Sequence, residues 1–227
     1  MQPYFLPYIG YFHLIAAVDL FIVYDNIKYT KKGWINRNRM FQNGKDVMFS
    51  LPLKNDSDYL DVCERELAAD FNRNKLLNQF KGTYRRAPYF SQTIPLVEQI
   101  VRYKEGNLFC FLHHSIAKTC EYLGITTEIR NSSTIAIDHG LKNQTKVLAL
   151  CEAVGASAYV NTIGGMELYS KEVFLEKGVK LNFIRSKPFE YAQFGEAFVP
   201  WLSIIDVMMF NSLDFIRTCI STNYELI

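Results

Sequence analysis

The chain has 227 residues, of which 49% are apolar and 15% aromatic, and its formal net charge is +2 at pH 7. This composition suits one α/β domain with a full hydrophobic core, and the small charge gives no indication of a nucleic-acid or membrane-surface partner. The five cysteines are dispersed without metal-ligand spacing, which is typical of reduced thiols in a cytoplasmic protein. We expect a single domain over residues 1–227, with a helical insertion at about residues 70–124.

The opening segment, MQPYFLPYIGYFHLI, is apolar and aromatic but differs from a signal peptide. A signal peptide has an unbroken apolar run after a basic segment, whereas Pro3, Pro7 and Gly10 interrupt this run and no Lys or Arg precedes it. No stretch of the chain is as long as an apolar membrane span. We therefore expect the opening to belong to the folded body, followed by a helix at residues 11–19 and a buried strand at residues 20–25.

The middle of the chain combines a hairpin with helices. Asn-Gly between two alternating runs predicts a β-hairpin with strands at residues 34–42 and 46–53. Helices are predicted at residues 72–84, 89–103 and 107–124, although Pro95 weakens the second. Asn107 is the expected N-cap of the third helix, and Gly124 its end.

The second half of the chain has a repeating β-α-β-α-β pattern. Strands are predicted at residues 126–133, 157–162 and 179–186, separated by helices at residues 143–155 and 165–178, and two short helices follow within residues 198–220. This order is typical of a parallel sheet with right-handed crossovers. The expected fold class is therefore α/β, with a Rossmann-like parallel sheet, a β-hairpin and a helical insertion.

Polar residues end each predicted parallel strand, and ligands of such sheets bind beyond the carboxyl ends of the strands. These residues are Asp25-Asn26, Asn131 to Ser133, Asn161-Thr162 and Arg185-Ser186. Gly164 and Gly165 lie between a strand and a helix, where glycine allows a ligand to approach the backbone and free N–H groups attract anions. A simple tight turn is the alternative.

The segment from Asn26 to Lys45 is basic and carries six positive residues with no acidic one. Strand alternation places Trp34, Asn36 and Asn38 on one face, where a ring and two amides suit a sugar or a base. Arg37 and Arg39 fall on the other face and suit a phosphate. A solvated edge strand is the alternative.

The remaining polar motifs indicate structure rather than chemistry. None of the four histidines is spaced with Cys or a carboxylate as a metal ligand would be, so no metal site is predicted. Core packing or surface exposure accounts for His113, His114 and His139. Ser203 and Asp206 match a helix-start pattern, with Ser203 as the N-cap.

Four segments together resemble the WbqC-like proteins: QPYFLPYIGYFHLI, VDLFIVYDNIKYTKKGWINRNR, YVNTIGGMELY and FVPWLSIIDVMMFN. They occur in the family's order and cover the chain from end to end. The resemblance implies a role in the synthesis of bacterial O-antigen lipopolysaccharide or other surface glycans, namely transfer of an aminoacyl group, such as glycyl, to a nucleotide-linked amino sugar. Family members carry a few apolar residues ahead of the first of these segments, so we expect either that the start of this chain was assigned too late or that its first strand is short.

A more distant similarity concerns the opening. A strand, a Pro- and Gly-containing loop, a helix and D-x-F-I-V are similar to nucleotidylyltransferases and adenylate-forming enzymes of the HUP type, which hold phosphates with His-x-Gly-His. The equivalent stretch here is Tyr8-Ile9-Gly10-Tyr11, with Tyr in place of both His residues. An enzyme of that kind with an altered motif is therefore one alternative, and a non-catalytic nucleotide- or glycan-binding module is another.

The resemblance and the motifs together define an expected site. Asp25 or Glu167 is expected to be the general base toward the sugar amine. The cofactor is unknown, and ATP with Mg²⁺ is needed only if a free amino acid is the donor. The partner is expected to be a small-molecule nucleotide or nucleotide sugar, and a homo-oligomer is left open. The residues expected to line the site are Gln2, Tyr4, Tyr8, Gly10, Tyr11, Tyr29, Lys31, Trp34, Asn36, Arg37, Asn38, Arg39, Asn161, Gly164 and Gly165.

Overall fold

Strands and helices are both present along the chain in a computed structural model that describes residues 1–195 and 197–227. Parallel strands mixed with helices confirm the α/β class predicted from the sequence. The strands are β1 (Leu20–Val23), β2 (Arg37–Gln42), β3 (Lys45–Ser50), β4 (Glu128–Asn131), β5 (Ala158–Thr162), β6 (Lys180–Ser186) and β7 (Tyr224–Leu226). The α-helices are α1 (Ile9–Ala16), α2 (Arg73–Tyr84), α3 (Phe90–Val101), α4 (Leu108–Leu123), α5 (Asn143–Ala153), α6 (Lys171–Glu176), α7 (Ile204–Phe210) and α8 (Leu213–Thr222).

Parallel pairing occurs at two places. β1 pairs with β4, from Leu20 opposite Glu128 to Val23 opposite Asn131. β5 pairs with β6 in parallel, and β7, which the sequence pattern does not predict, adds an antiparallel strand to β6. β4, the first strand of the repeating pattern, therefore pairs with β1, although the helical insertion separates the two strands in the sequence.

A groove separates β1 from β5. It contains a cavity of about 410 Å³, with residues 19–22 along one side and residues 158–161 along the other. Side chains of α1 and α5 complete its walls. Met1 reaches one end of the groove, where its amino group donates to the Ile22 carbonyl at 2.7 Å and its carbonyl accepts from the Tyr24 N–H at 2.9 Å.

The opening segment packs inside the protein. Phe5, Leu6, Phe12 and Ile15 are fully buried in the main core, which also includes α2 to α4 and the two C-terminal helices. α1 begins two residues before the predicted start, and it ends at Ala16 rather than at residue 19. Every residue from Ile9 to Ile15 is buried, which is typical of a helix that is surrounded by protein.

The hairpin confirms the Asn-Gly prediction. Asn43 and Gly44 both have positive φ angles, 51° and 73°, as a type I′ turn requires. β2 begins at Arg37, three residues after the predicted start, because the chain first makes a turn in which the Gly33 N–H donates to the Thr30 carbonyl. Trp34 therefore lies outside the strand.

The helical insertion follows the predicted capping signals. The side chain of Asn72 accepts from the Lys75 N–H at 2.9 Å, and that of Asn107 accepts from the Cys110 N–H at 3.0 Å. Gly124 ends α4 with a φ of 74°, and Pro95 lies inside α3 without ending it. Among the described helices, none combines the length and the apolar character that crossing a bilayer requires.

The prediction of a single helix at residues 165–178 is wrong. A 3₁₀ helix occupies Ile163–Leu168, and α6 starts separately at Lys171. Ser170 divides the two, since its hydroxyl oxygen accepts from the Val173 N–H at 3.3 Å and so caps a new helix. The predicted N-cap at Ser203 is confirmed by an equivalent contact from the Ile205 N–H.

Candidate functional site

Asp25 follows β1, and the two serines that follow β4 hold its carboxylate. The Ser132 hydroxyl donates to Oδ1 of Asp25 at 2.8 Å, and the Ser133 N–H donates to the same oxygen at 2.9 Å. The Ser133 hydroxyl donates to Oδ2. Because β1 and β4 are parallel neighbours, their carboxyl ends meet and bring together residues 107 positions apart. The carboxylate is thus fixed in place and only 6% exposed.

The hydrogen bonds decide the charge of Asp25. Burial raises the pKa of this carboxyl, but the hydrogen bonds from Ser133 and Ser132 act in the opposite direction and outweigh burial, so the pKa lies below its usual value. The nearby lysines have other partners, since Lys28 lies over the Tyr59 ring and Lys31 pairs with Asp58. Asp25 is therefore ionised at neutral pH.

A second set of polar groups extends from Asp25 toward α5. The Asn26 amide nitrogen lies 2.9 Å from Nδ1 of His139 and donates to it, so the proton of His139 is on Nε2, which donates to the Ile135 carbonyl at 3.1 Å. Lys146 is 9% exposed, and its ammonium reaches the His139 carbonyl at 3.5 Å and the Tyr24 ring centroid at 5.6 Å. No salt bridge joins Lys146 to a carboxylate of the described residues.

Two further titratable groups face the same region. Burial lowers the pKa of His113 in α4, although the Asp25 charge opposes this, so His113 is neutral at pH 7. Burial and the Glu64 charge raise the pKa of Asp61, and Lys146 opposes them. We refer to this set as the Asp25 cluster, which consists of Asp25, Asn26, Asp61, His113, Ser132, Ser133, His139 and Lys146.

The aromatic residues of the opening loop lie elsewhere. The hydroxyl of Tyr4 donates to the Gln2 side chain at 3.3 Å, and that of Tyr11, which is buried, donates to the Gln2 carbonyl at 2.9 Å. A Cβ atom on Gly10 would lie 2.3 Å from the Tyr8 ring. The absence of a side chain at Gly10 therefore makes room for the Tyr8 ring.

The two predicted amides of the hairpin bind the chain itself. Asn36 accepts from the Tyr29 hydroxyl and donates to the Leu51 carbonyl, both at 2.8 Å. Asn38 is 7% exposed and donates to the Leu6 carbonyl at 2.8 Å. The Asn38 bond anchors the hairpin to the opening loop, and the Asn36 bonds connect the residues before β2 with those after β3.

The basic residues and Trp34 remain near the surface. Trp34 is 44% exposed, and the Arg39 guanidinium lies 5.5 Å from its ring centroid, so these two residues share a face, contrary to the predicted alternation. Arg39 also pairs with Asp46 at 3.0 Å, and Arg37 donates to the Gly33 carbonyl at 2.7 Å. The alternation is confirmed from Arg37 to Arg39, since Asn38 alone is buried.

The glycine pair after β5 lies in the 3₁₀ helix rather than at the start of a long helix. A Cβ atom on Gly165 would lie 2.7 Å from the Asn161 amide, so this glycine makes room for Asn161. Gly164 and Glu167 are exposed, and Asn161 lines the groove between β1 and β5. The 3₁₀ helix has only six residues and ends at Leu168. Gly164 and Gly165 therefore do not lie at the N-terminus of a full α-helix, where an anion would bind.

A second cavity, of about 330 Å³, lies beside the start of α1. Tyr8 and Trp201 meet at its wall with ring centroids 6.0 Å apart. The other aromatic residues that line it are Phe189, Tyr191 and Phe198, and its lining contains one basic residue, Lys187, and one acidic residue, Glu190. Its size and apolar lining are typical of a small-molecule pocket.

The chain contains functional candidates that the sequence does not reveal. The sequence pattern places the serine pair at a strand end, but it assigns His113 and His139 to packing or the surface and does not single out Lys146. The only available signal is their position, since His139 follows the β4 end and Lys146 lies in the first turns of α5. Within the described residues, no group of three or more His, Cys, Asp or Glu residues is arranged to hold a metal ion.

The fold and site together define an α/β protein whose parallel strands end in a buried, ionised polar cluster. The chain belongs to the WbqC-like protein family, whose model matches residues 2–218. A relative described as "Uncharacterized protein Rv1507c", from Mycobacterium tuberculosis (strain ATCC 25618 / H37Rv), is 28% identical over 227 residues, which cover 96% of each chain. No solved structure matches.

Proposed function

We propose that this protein is a transferase of bacterial surface-polysaccharide (O-antigen) synthesis, which places an aminoacyl or acyl group, such as glycyl, on a nucleotide-linked amino sugar. Membership of the WbqC-like family supports this proposal. The observation that carries it is the Asp25 cluster, in which a buried, charged carboxylate lies near a neutral histidine. Groups in these two states suit the binding and deprotonation of an amine.

The proposed reaction begins with a sugar ammonium group, the form that an amine has at neutral pH. Asp25 binds it, because the low pKa keeps the carboxylate charged. His113 accepts the proton, because burial lowers its pKa and keeps this imidazole neutral. The free amine then forms an amide bond with the activated acyl carbon, while the bond to the donor's leaving group breaks; that group departs with the electron pair and takes up the second proton that the nitrogen loses. Glu167, exposed on the 3₁₀ helix, is the alternative base.

The phosphates of the nucleotide need a positive charge. Lys31 and Arg39 already pair with carboxylates, and Arg37 donates to the main chain. Lys146 suits this role better, since its ammonium is buried and contacts a carbonyl at 3.5 Å and the Tyr24 ring, neither of which is a carboxylate. We therefore assign the phosphate contact to Lys146.

ATP with Mg²⁺ would be required if the acyl group came from a free amino acid. The described residues around Asp25 do not fit the metal, because Oδ1 already accepts two hydrogen bonds and no group of three or more His, Cys, Asp or Glu residues is arranged to hold an ion. Oδ2 accepts one hydrogen bond and so keeps a lone pair for the sugar ammonium. A donor that is already activated suits the cluster better. The aromatic cavity also favours one second candidate function, a non-catalytic nucleotide-binding module, in which no carboxylate would matter.

A thermal-shift screen with nucleotides and nucleotide-linked amino sugars tests the ligand class. We expect nucleotide-linked amino sugars to raise the melting temperature more than the nucleotide alone. Lys146→Met should reduce this shift, whereas Lys142→Met, at an exposed position of the same segment, should not. Equal shifts with plain nucleotides and no transfer in a coupled assay would favour the binding module, and ATP-dependent release of pyrophosphate would favour an adenylate-forming enzyme.

A further inference from the structure

We infer that the cavity of about 330 Å³ beside the start of α1 binds a free α-amino acid with a large apolar side chain. The side chain of this ligand would occupy the aromatic interior, while Lys187 would contact its carboxylate and Glu190 its ammonium group. The inference goes beyond the proposed function, because glycine has no side chain that could fill this cavity. The size of the cavity, its two charged residues and the conformation of Trp201 support it.

The size of the cavity limits the ligand. Ligand pockets commonly have volumes of about 300–1,000 Å³, so a cavity of about 330 Å³ lies at the lower end of this range. A single amino acid suits such a volume, whereas a complete nucleotide-linked sugar needs a larger one. Aromatic rings surround the space and favour an apolar or aromatic group; they belong to Tyr8, Phe189, Tyr191, Phe198 and Trp201.

The two charged residues of the lining lie on one short segment. Lys187 and Glu190 both follow β6, and both are exposed. They form no salt bridge with each other or with another described residue. A ligand with one positive and one negative group at the same end, and an apolar group at the other end, complements this arrangement. An α-amino acid is such a ligand at neutral pH, because its α-carbon carries both an ammonium and a carboxylate group.

Other small molecules complement these charges less well. A nucleoside phosphate carries only negative charge at neutral pH, so Glu190 would repel the group that Lys187 attracts. A neutral sugar has no charged group to pair with either residue. The presence of both signs in the lining therefore favours a zwitterionic ligand over a nucleotide or a sugar.

Trp201 adopts a conformation that exposes its ring at the cavity wall. Its φ angle is 60°, in the left-handed region that bulky residues rarely adopt, and the residue is 60% exposed. The Arg39 guanidinium donates to the Trp201 carbonyl at 3.3 Å, and the Tyr8 ring centroid lies 6.0 Å from that of Trp201. Neither a strained backbone nor an exposed apolar ring stabilises the free protein, so both indicate that this position serves ligand binding.

The chain that follows β6 is anchored to the core near the cavity. The Tyr191 hydroxyl and the Gln193 amide both donate to Oδ2 of the buried Asp206 at 2.7 Å. The Gln193 side chain also accepts from the Val199 N–H at 2.7 Å. Tyr191, Gln193 and Val199 are therefore held in place before a ligand binds, and binding does not bear the cost of ordering them.

Isothermal titration calorimetry with L-phenylalanine tests the inference. We expect phenylalanine to bind and glycine not to bind, because only phenylalanine has a side chain for the aromatic interior. Trp201→Ala should weaken the affinity for phenylalanine by about 10-fold, since stacking on its ring is lost. Tyr59→Ala, at an exposed aromatic residue outside the cavity, should bind like the original protein. Absence of phenylalanine binding, or equal binding of glycine, would overturn the inference.

Two charge variants and two ligand analogues test the charged contacts. Lys187→Met should weaken phenylalanine and phenylpropionate, which keeps only the carboxylate, by about 10-fold and should leave phenethylamine, which keeps only the amine, unchanged. Glu190→Gln should weaken phenylalanine and phenethylamine and leave phenylpropionate unchanged. The matched controls are Lys180→Met, at the exposed opposite end of β6, and Glu176→Gln, at an exposed position of α6. Unchanged phenylalanine affinity in both Lys187→Met and Glu190→Gln would refute the assigned contacts.

Adenosine monophosphate is the competing ligand. We expect it not to displace phenylalanine, because it lacks the ammonium group that Glu190 would bind. Displacement of phenylalanine by this nucleotide would overturn the inference and favour the nucleotide-binding module. These titrations involve no transfer reaction, so phenylalanine binding can fail while glycyl transfer succeeds, and the reverse.

Discussion

Replacement of Asp25 by asparagine tests the hydrogen bonds on which the Asp25 cluster depends. The introduced amide would keep an acceptor for the Ser132 hydroxyl and the Ser133 N–H, but its nitrogen would face the Ser133 hydroxyl in place of Oδ2. The Ser133 hydroxyl can rotate and accept, so the main loss is the charge of the acceptor. Charge-assisted hydrogen bonds are worth about 1.5–3 kcal/mol and neutral ones about 1 kcal/mol. We expect Asp25→Asn to lower the free energy of unfolding by about 1–3 kcal/mol.

Thermal unfolding at a series of pH values is the assay. A loss of this size in a chain of 227 residues lowers the melting temperature by roughly 3–10 °C at pH 7. The folded-state pKa of Asp25 lies below its usual value, so its contribution is complete above the unfolded pKa of about 4 and is lost as the pH falls through the folded pKa. The difference between the two proteins should therefore shrink below about pH 4. Asp70→Asn, at an exposed carboxyl, is the matched control. A variant as stable as the original protein at pH 7 would refute this reasoning.

Three other substitutions test ligand binding, an aromatic contact and a buried hydrogen-bond network. Trp34→Ala should weaken nucleotide-sugar affinity more than it lowers the melting temperature, because the ring is half-exposed and stacking is worth about 1–3 kcal/mol; a large melting loss with unchanged affinity would assign Trp34 to packing. Gly10→Ala should push the Tyr8 ring away from its position against Trp201 and change the tryptophan emission, with a modest loss of stability; unchanged emission would contradict the contact. Asp206→Asn should destabilise the protein by about 1–3 kcal/mol in urea unfolding, since its buried carboxylate accepts from Tyr84, Tyr191 and Gln193; a neutral effect would contradict the network.

Local signals in the sequence predict much of the fold. Each of these signals depends on contacts within a few residues, so it can be recognised without knowledge of tertiary contacts. They are the Asn-Gly turn of the hairpin, the N-caps of α2 and α4 at Asn72 and Asn107, and the end of α4 at Gly124. The pairing of β4 with β1 across the helical insertion, and the antiparallel β7, depend on contacts between distant parts of the chain. Ser170 shows the limit of periodicity, because its N-cap divides an apolar pattern that is typical of one helix.

The candidate site is less predictable than the fold. Asp25 can be identified from the sequence because it is a carboxylate at the end of a predicted buried strand. Its serine partners cannot, because Ser132 lies 107 positions further along the chain. Asn36 and Asn38 suit a ligand equally well until their contacts with Leu51 and Leu6 are visible. The polar residues of a binding face and those that anchor a hairpin are the same types, so composition alone does not separate them.

The most direct test of the proposed function is a transfer assay with the folded protein, a nucleotide-linked amino sugar and an activated glycyl donor, read by the mass of the sugar. We expect a mass gain of one glycyl group, and a loss of turnover of about 10²-fold or more in Asp25→Asn and in His113→Gln at a temperature where both variants are folded. Lys142→Met should transfer at the original rate. Absence of transfer with every activated donor, or full turnover by Asp25→Asn, would contradict the central role of the Asp25 cluster.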